Sequence, residues 1–74
     1  MADLNEALGE MLARYRHRAN LSHEACAFEC DLHPTYISQI ERGLKFPTMR
    51  TLFLIGKALK VAPSQIVRDV EERL

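Results

Sequence analysis

Seventy-four residues, with 47% apolar and 27% charged side chains, fit one folded domain spanning 1–74 rather than a disordered tail. A chain this short buries roughly 60% of its unfolded surface, so stability is modest and a second subunit would add to it. No basic-then-apolar leader opens the sequence, and no apolar run approaches the roughly 20 residues that cross a bilayer. Two cysteines without an export signal fit free thiols in a reducing cytoplasm.

The net charge is zero, which at first argues against a polyanionic partner, but the charges are unevenly spread. Residues 1–13 carry Asp3, Glu6 and Glu10 and no base, whereas 14–18 carry Arg14, Arg16 and Arg18. Residues 42–68 carry Arg42, Lys45, Arg50, Lys57, Lys60 and Arg68 and no acid. Binding follows the local field rather than the total. Solvated helix faces would produce the same clustering, so the charges alone do not decide.

In chain order, Leu4, Leu8, Met11, Leu12, Tyr15 and Ala19 recur at helical spacing and predict a first helix over 4–19. Asp3 caps it, Glu6 suits its positive end and the arginines its negative end. Asn20 can take the left-handed conformation that closes a helix. Ser22 opens a second helix over 22–30, with Ala25, Cys26, Ala27 and Cys30 inward and Phe28 on a flank. Asp31 sits in the turn, where aspartate tolerates positive φ, and Leu32 plugs the corner. His33 caps a third helix over 34–42, Pro34 fits its first position, and Gly43 closes it. Thr48 caps a fourth helix over 49–59, which buries Leu52, Ile55, Ala58 and Leu59. Gly56 there costs about 1 kcal/mol relative to alanine, which predicts close helix packing. Pro63 starts a fifth helix over 63–73, with Ile66, Val67, Val70 and Leu74 in one seam. Strand signals are weak throughout, so the fold class is all-α, five helices.

The third helix divides cleanly. Ile37, Ile40, Glu41 and Leu44 fall on one side, Thr35, Ser38, Gln39 and Arg42 on the other. A carboxylate beside a buried stripe needs a partner. Arg16, flanking the first helix's stripe one turn beyond Leu12, is expected to pair with Glu41; the alternative is two independent surface charges.

The outward residues sort by chemistry. Gln39 offers a donor and an acceptor that match the N6/N7 edge of adenine. Thr35 can bond a base edge or press its methyl against thymine, and Ser38 can do either at shorter reach. Arg42 and Lys45 are placed for phosphates. Ser22 and His23, with backbone N–H groups at a helix start, form a phosphate clamp. Tyr36 has two readings, a phosphate contact through its hydroxyl or simple packing.

Ser22–Gly43, and above all the run Ile37-Ser38-Gln39-Ile40-Glu41-Arg42-Gly43, resembles the helix-turn-helix of the phage-repressor family (lambda repressor/Cro, or Xre-type). The likeness extends over about residues 8–67 and includes Pro47-Thr48 before the fourth helix. It implies a lambda-repressor-like DNA-binding domain. It also implies base contacts at Pro34, Thr35, Ser38 and Gln39, phosphate contacts at Ser22, His23, Arg42 and near Lys45, and an ion pair at Arg16 and Glu41. This chain departs from the family at four positions. His23 replaces the usual glutamine, Cys26 a core leucine, Asp31 the turn glycine, and Pro34 brings no hydrogen-bonding group to a base-reading position. Phe28 with Leu32-His33-Pro34-Thr35-Tyr36 is similar to the short control proteins of restriction-modification systems.

The expectation is a transcriptional regulator in the cytoplasm that binds operator DNA as a homodimer. Val61, Val67, Val70 and Leu74 form the expected dimer contact; closing the protomer core is their other reading. Glu24 is a candidate for contact with RNA polymerase, although an acid there also suits the helix dipole. A second class is an antitoxin-like or adaptor protein-interaction module. A third is a metal or redox sensor built on His23, Cys26, Cys30 and His33, spaced H-x2-C-x3-C-x2-H. The favoured reading involves no metal and no cofactor, because buried free cysteine commonly behaves as a small hydrophobe. No nucleophile-and-base set or glycine-rich phosphate loop suggests an enzyme.

Overall fold

In the computed structural model, which describes residues 3–74, four of the five helices begin where a side chain accepts from one of their first N–H groups. Asp3 accepts from the Asn5 N–H at 3.1 Å and opens α1 (Leu4–Arg18). Ser22 accepts from the Ala25 N–H at 3.0 Å and opens α2 (His23–Cys30). His33 precedes α3 (Pro34–Glu41), and Thr48 accepts from the Thr51 N–H at 3.1 Å to open α4 (Met49–Leu59). α5 (Pro63–Arg73) follows Ala62, which has no capping group, but Pro63 itself removes one orphan donor. The expected domain begins at residue 1; residues 1 and 2 lie outside the described residues.

Chain reversals use left-handed residues: Asn20 (φ 61°), Asp31 (57°), Gly43 (77°) and Lys60 (60°). After Asp31 the Leu32 N–H donates back to the Ala27 carbonyl at 2.9 Å, and after Lys60 the Val61 N–H donates to Gly56 at 2.9 Å. These bonds satisfy carbonyls that the ended helices would leave unpaired. Among the described residues there is no strand, and the fold is all-α, five helices.

All five helices contribute to one core. α1 supplies Ala7, Leu8, Met11, Leu12 and Tyr15, and α2 supplies Cys26, Ala27 and Cys30. Ile37 and Ile40 come from α3, Ile55 and Leu59 from α4, Ile66 and Val70 from α5. Several residues on the sequence-derived stripes lie outside it: Leu4 and Ala19 at the ends of α1, Ala25 on α2, Leu44, and Val67 and Leu74 of the α5 seam. Leu44 is exposed because the left-handed turn at Gly43 breaks the helical spacing that aligned it with Ile40. Val70 corrects an expectation in the other direction. It is 5% exposed and closes the protomer's own core, so it is not part of a free face for a second copy.

Two further links tie α1 to α5. The Tyr15 hydroxyl donates to Asp69, which also accepts from Gln65 Nε2 at 2.9 Å. The bond to Asp69, with burial, pushes the Tyr15 phenol above its ordinary pKa, and Arg18 lies 5.4 Å over the ring. Arg73 donates to Glu10.

Glycine has a steric role at two positions. A Cβ on Gly56 would stand 2.7 Å from the Val61 carbonyl oxygen, so the bend from α4 into α5 requires its absence. A Cβ on Gly9 would stand 2.5 Å from the Glu41 carbonyl oxygen and 2.6 Å from that of Ile40. Here the backbone of α1 rests on the end of α3 with no side chain between them. Gly9→Ala must push the two helices apart, and urea unfolding should show a loss of about 2 kcal/mol, in the range of core overpacking. An unchanged midpoint would contradict this contact.

Candidate nucleic-acid interface

Pro34 sets the first turn of α3, and Ile37 and Ile40 hold the helix by its inner side. That orientation leaves Thr35 and Arg42 exposed and Ser38, Gln39 and Pro34 half-buried along the outer side. The Leu44 and Lys45 N–H groups donate to the Gln39 carbonyl at 2.9 and 3.3 Å, folding the following loop back onto the helix end. Lys45 in this loop is exposed, as is Arg42 at the helix end. Tyr36 is half-buried and packs against the core. At the start of α2, Ser22 is exposed, and the N–H groups of His23 and Glu24 precede any intrahelical acceptor.

Behind this surface the structure brings together a set that the sequence indicated in part. Arg16 Nε donates to Glu41 Oε2 at 2.6 Å, and Arg16 Nη2 donates to Glu41 Oε1 at 3.0 Å, a two-pronged pair. Both side chains are about nine-tenths buried. Arg16 Nη1 donates to the Leu21 carbonyl at 2.8 Å, anchoring the α1–α2 loop. His23 Nε2 lies 3.0 Å from Glu41 Oε1. The imidazole is thus turned onto Glu41, which leaves the His23 backbone N–H as its group at the start of α2. Sequence reasoning missed this bond because it assigned His23 to an outward role at the start of α2, and nothing local to that helix signals Glu41 as its partner.

Burial pushes the Glu41 carboxyl up. The hydrogen bonds from Arg16 and His23, with their charges, outweigh it and hold the group below the usual carboxylate range. Its bond to Glu41 raises the Arg16 guanidinium against burial.

The cysteine–histidine spacing does not converge. Cys26 and Cys30 point into the core, each 1% exposed, and Cys30 Sγ lies 3.8 Å from the Leu54 carbonyl as a donor. Burial pushes the Cys26 thiol up, and burial with the neighbouring Cys26 pushes Cys30 up to about 12. His23 faces Glu41, and His33 faces the Thr35 N–H. Among the described residues no three His, Cys, Asp or Glu side chains are grouped to hold a metal ion. Beneath Cys26, a cavity of about 10 Å³ is lined by Leu12, Ile37, Ile40, Ile55 and Leu59, consistent with a small side chain at a position the resemblance gives to leucine.

The chain matches the helix-turn-helix domain family over residues 7–68 and belongs to it. Within that class it is similar to proteins named as control proteins and gene regulators. The control protein C.BamHI of Bacillus amyloliquefaciens is 48% identical over 50 residues, 68% of this chain and 62% of that protein, so the match spans under two thirds of that relative's length. Among solved structures, the clp gene regulator ClgR from Corynebacterium glutamicum superposes with a TM-score of 0.92 at 25% identity, covering 97% of this chain and 77% of that one. The restriction-modification controller protein C.AhdI from Aeromonas hydrophila superposes with a TM-score of 0.82 at 26% identity, covering 84% and 94%. The likeness read from Phe28 and Leu32–Tyr36 agrees with these matches.

Arg16→Met leaves the buried Glu41 without its main partner, and thermal or urea unfolding should show a loss on the order of 3 kcal/mol. The pH dependence follows from the lowered Glu41 pKa. Its stabilisation is complete above the unfolded carboxylate value, near 4.3, and is lost as pH falls through the lower folded value. The stability gap between the native chain and Glu41→Gln should therefore stand at full size near pH 5 and close as pH falls below about 4. A gap independent of pH would contradict an ionised Glu41.

Proposed function

We propose that this chain is a transcriptional regulator of the cytoplasm that binds operator DNA as a homodimer, acting by binding rather than catalysis. The observation that carries the reading is the outer side of α3: a short helix held from within by Ile37 and Ile40, with Thr35 open to solvent along it and Arg42 at its end. A helix so presented fits the major groove. Thr35, Ser38 and Gln39 read base edges, with Pro34 contributing apolar contact. The backbone N–H of His23 with Ser22, the Tyr36 hydroxyl, Arg42 and Lys45 meet phosphates on either side. The relatives called control and controller proteins support a gene-regulatory role, with control of a restriction-modification system as its most specific form. Among the described residues no helix is long and apolar enough to cross a membrane.

The dimer is supported by apolar surface that the protomer leaves uncovered. On α4, Met49 is 72% and Phe53 56% exposed, with Leu54 also exposed; on α5, Val67 is 53% exposed. A groove lined by Leu4, Phe46, Met49, Leu52 and Val67 adjoins them. Contiguous apolar surface on a protein of this size marks an association site. Val67 and exposed Leu74 fit this contact, half-buried Val61 sits at its margin, and the outer face of α4 adds residues that the sequence seam did not include. A protomer measuring 32 by 23 by 22 Å lets two copies set their α3 helices about one DNA turn, roughly 34–36 Å, apart.

A protein partner is a second reading, favoured by Phe28. It is 87% exposed on α2, the helix that carries exposed Glu24, and would serve an antitoxin-like or adaptor contact with DNA binding secondary, whereas a regulator on DNA would meet RNA polymerase there.

Gln39→Ala should weaken the preferred site about tenfold and relax preference at its base pair, read by selection from a random duplex pool. Arg42→Ala should weaken all duplexes about equally and lower the salt slope by about one. Retention unchanged in both variants would favour the protein-partner reading. Phe53→Glu should convert a dimer to a monomer in sedimentation; an unaltered chain that sediments as a monomer at micromolar concentration contradicts the dimer.

A further inference from the structure

The first turn of α3 has an unusual donor inventory. Pro34 carries no N–H. The Thr35 N–H donates to His33 Nδ1 at 3.1 Å, and the Tyr36 N–H donates to the His33 carbonyl at 3.0 Å. The backbone donors that a helix start ordinarily offers to an anion or a base edge are therefore already used or missing.

The same bond fixes the chemistry of the His33 ring. A nitrogen that accepts from a backbone N–H carries no proton, so the neutral imidazole holds its proton on Nε2. The two nitrogens lie on different edges of the ring. With Nδ1 turned to the helix and the residue exposed, the Nε2–H is directed away from the cap. His33 stands one residue before Pro34 and two before Thr35, at the end of a recognition helix that leads into the groove.

We propose that His33 is a specificity-determining residue, its Nε2–H donating to an acceptor on a base edge, such as guanine N7 or O6, at the position where Pro34 supplies no hydrogen bond. The inference rests on the reading of α3 as the DNA-contacting helix. One ring thus does two things: Nδ1 completes the helix start, and Nε2 extends the reading surface by one residue beyond Thr35.

The test separates these two roles. His33→Ser keeps a capping oxygen but removes the ring donor, whereas His33→Ala removes both. Expected for His33→Ser is a melting temperature close to that of the native chain, with about tenfold weaker binding to the selected duplex and relaxed preference at one base pair per half-site. His33→Ala should lose the same affinity and melt lower. Native affinity and preference in His33→Ser would overturn the proposal and leave the ring a cap. Uniform weakening across all duplexes with a reduced salt slope would also overturn it, by placing the donor on a phosphate. If the native chain itself retains no duplex from the pool, the reading of α3 fails and the inference falls with it; selection by the native chain with an indifferent His33→Ser removes the inference alone.

Discussion

A single buried carboxylate joins three helices. Glu41 ends α3, Arg16 reaches it from α1, and His23 reaches it from the first turn of α2. An ionised group so enclosed is costly to bury, and two-pronged pairing with satisfied remaining donors makes it tolerable. Arg16 spends its third nitrogen on the Leu21 carbonyl, so the loop before α2 is held by the same side chain. The elements tied together here carry the N–H groups proposed to meet phosphates and the side chains proposed to read bases. Their relative orientation is therefore set by hydrogen-bond geometry as well as by apolar contact, which is less directional.

What could be read from the sequence was what depends on neighbours along the chain. Asp3, Ser22, His33 and Thr48 identify helix starts because capping needs one oxygen or ring nitrogen within a few residues. Asn20, Asp31 and Gly43 identify turns because few residues accept positive φ. The five helix boundaries fall within a residue of the periodicity for the same reason. Gly9 gave no such signal, since its constraint comes from carbonyls more than thirty positions away. The turn of His23 onto Glu41 was equally invisible. On α5 the period places Ile66, Val67 and Val70 in one seam but cannot say which of them the first helix will cover. The structure covers Ile66 and Val70 and leaves Val67 out. On α4 the period alone turned Leu52 and Ile55 inward, and the structure packs both and leaves Phe53 and Leu54 exposed.

The two cysteines show how local composition can suggest chemistry that packing withdraws. Their spacing with His23 and His33 invites a ligand set, yet each of the four side chains is already engaged elsewhere. The sulfurs fill the core, where burial keeps the thiols protonated. The imidazoles serve Glu41 and the start of α3. A thiolate is what binds metal or attacks disulfides, and this environment disfavours it.

The main-chain contact at Gly9 has a consequence for how this scaffold can diversify. Where backbone lies directly on backbone, no rotamer change can retilt α3 against α1 as long as Gly9 is kept. The pitch at which the helix is offered is thus a property of the frame. Exposed or half-buried Thr35, Ser38 and Gln39 lie off the core cluster and take no part in the Gly9 contact. Their identities can drift toward a different target while the mounting stays unchanged, a separation of address from chassis within fewer than eighty residues.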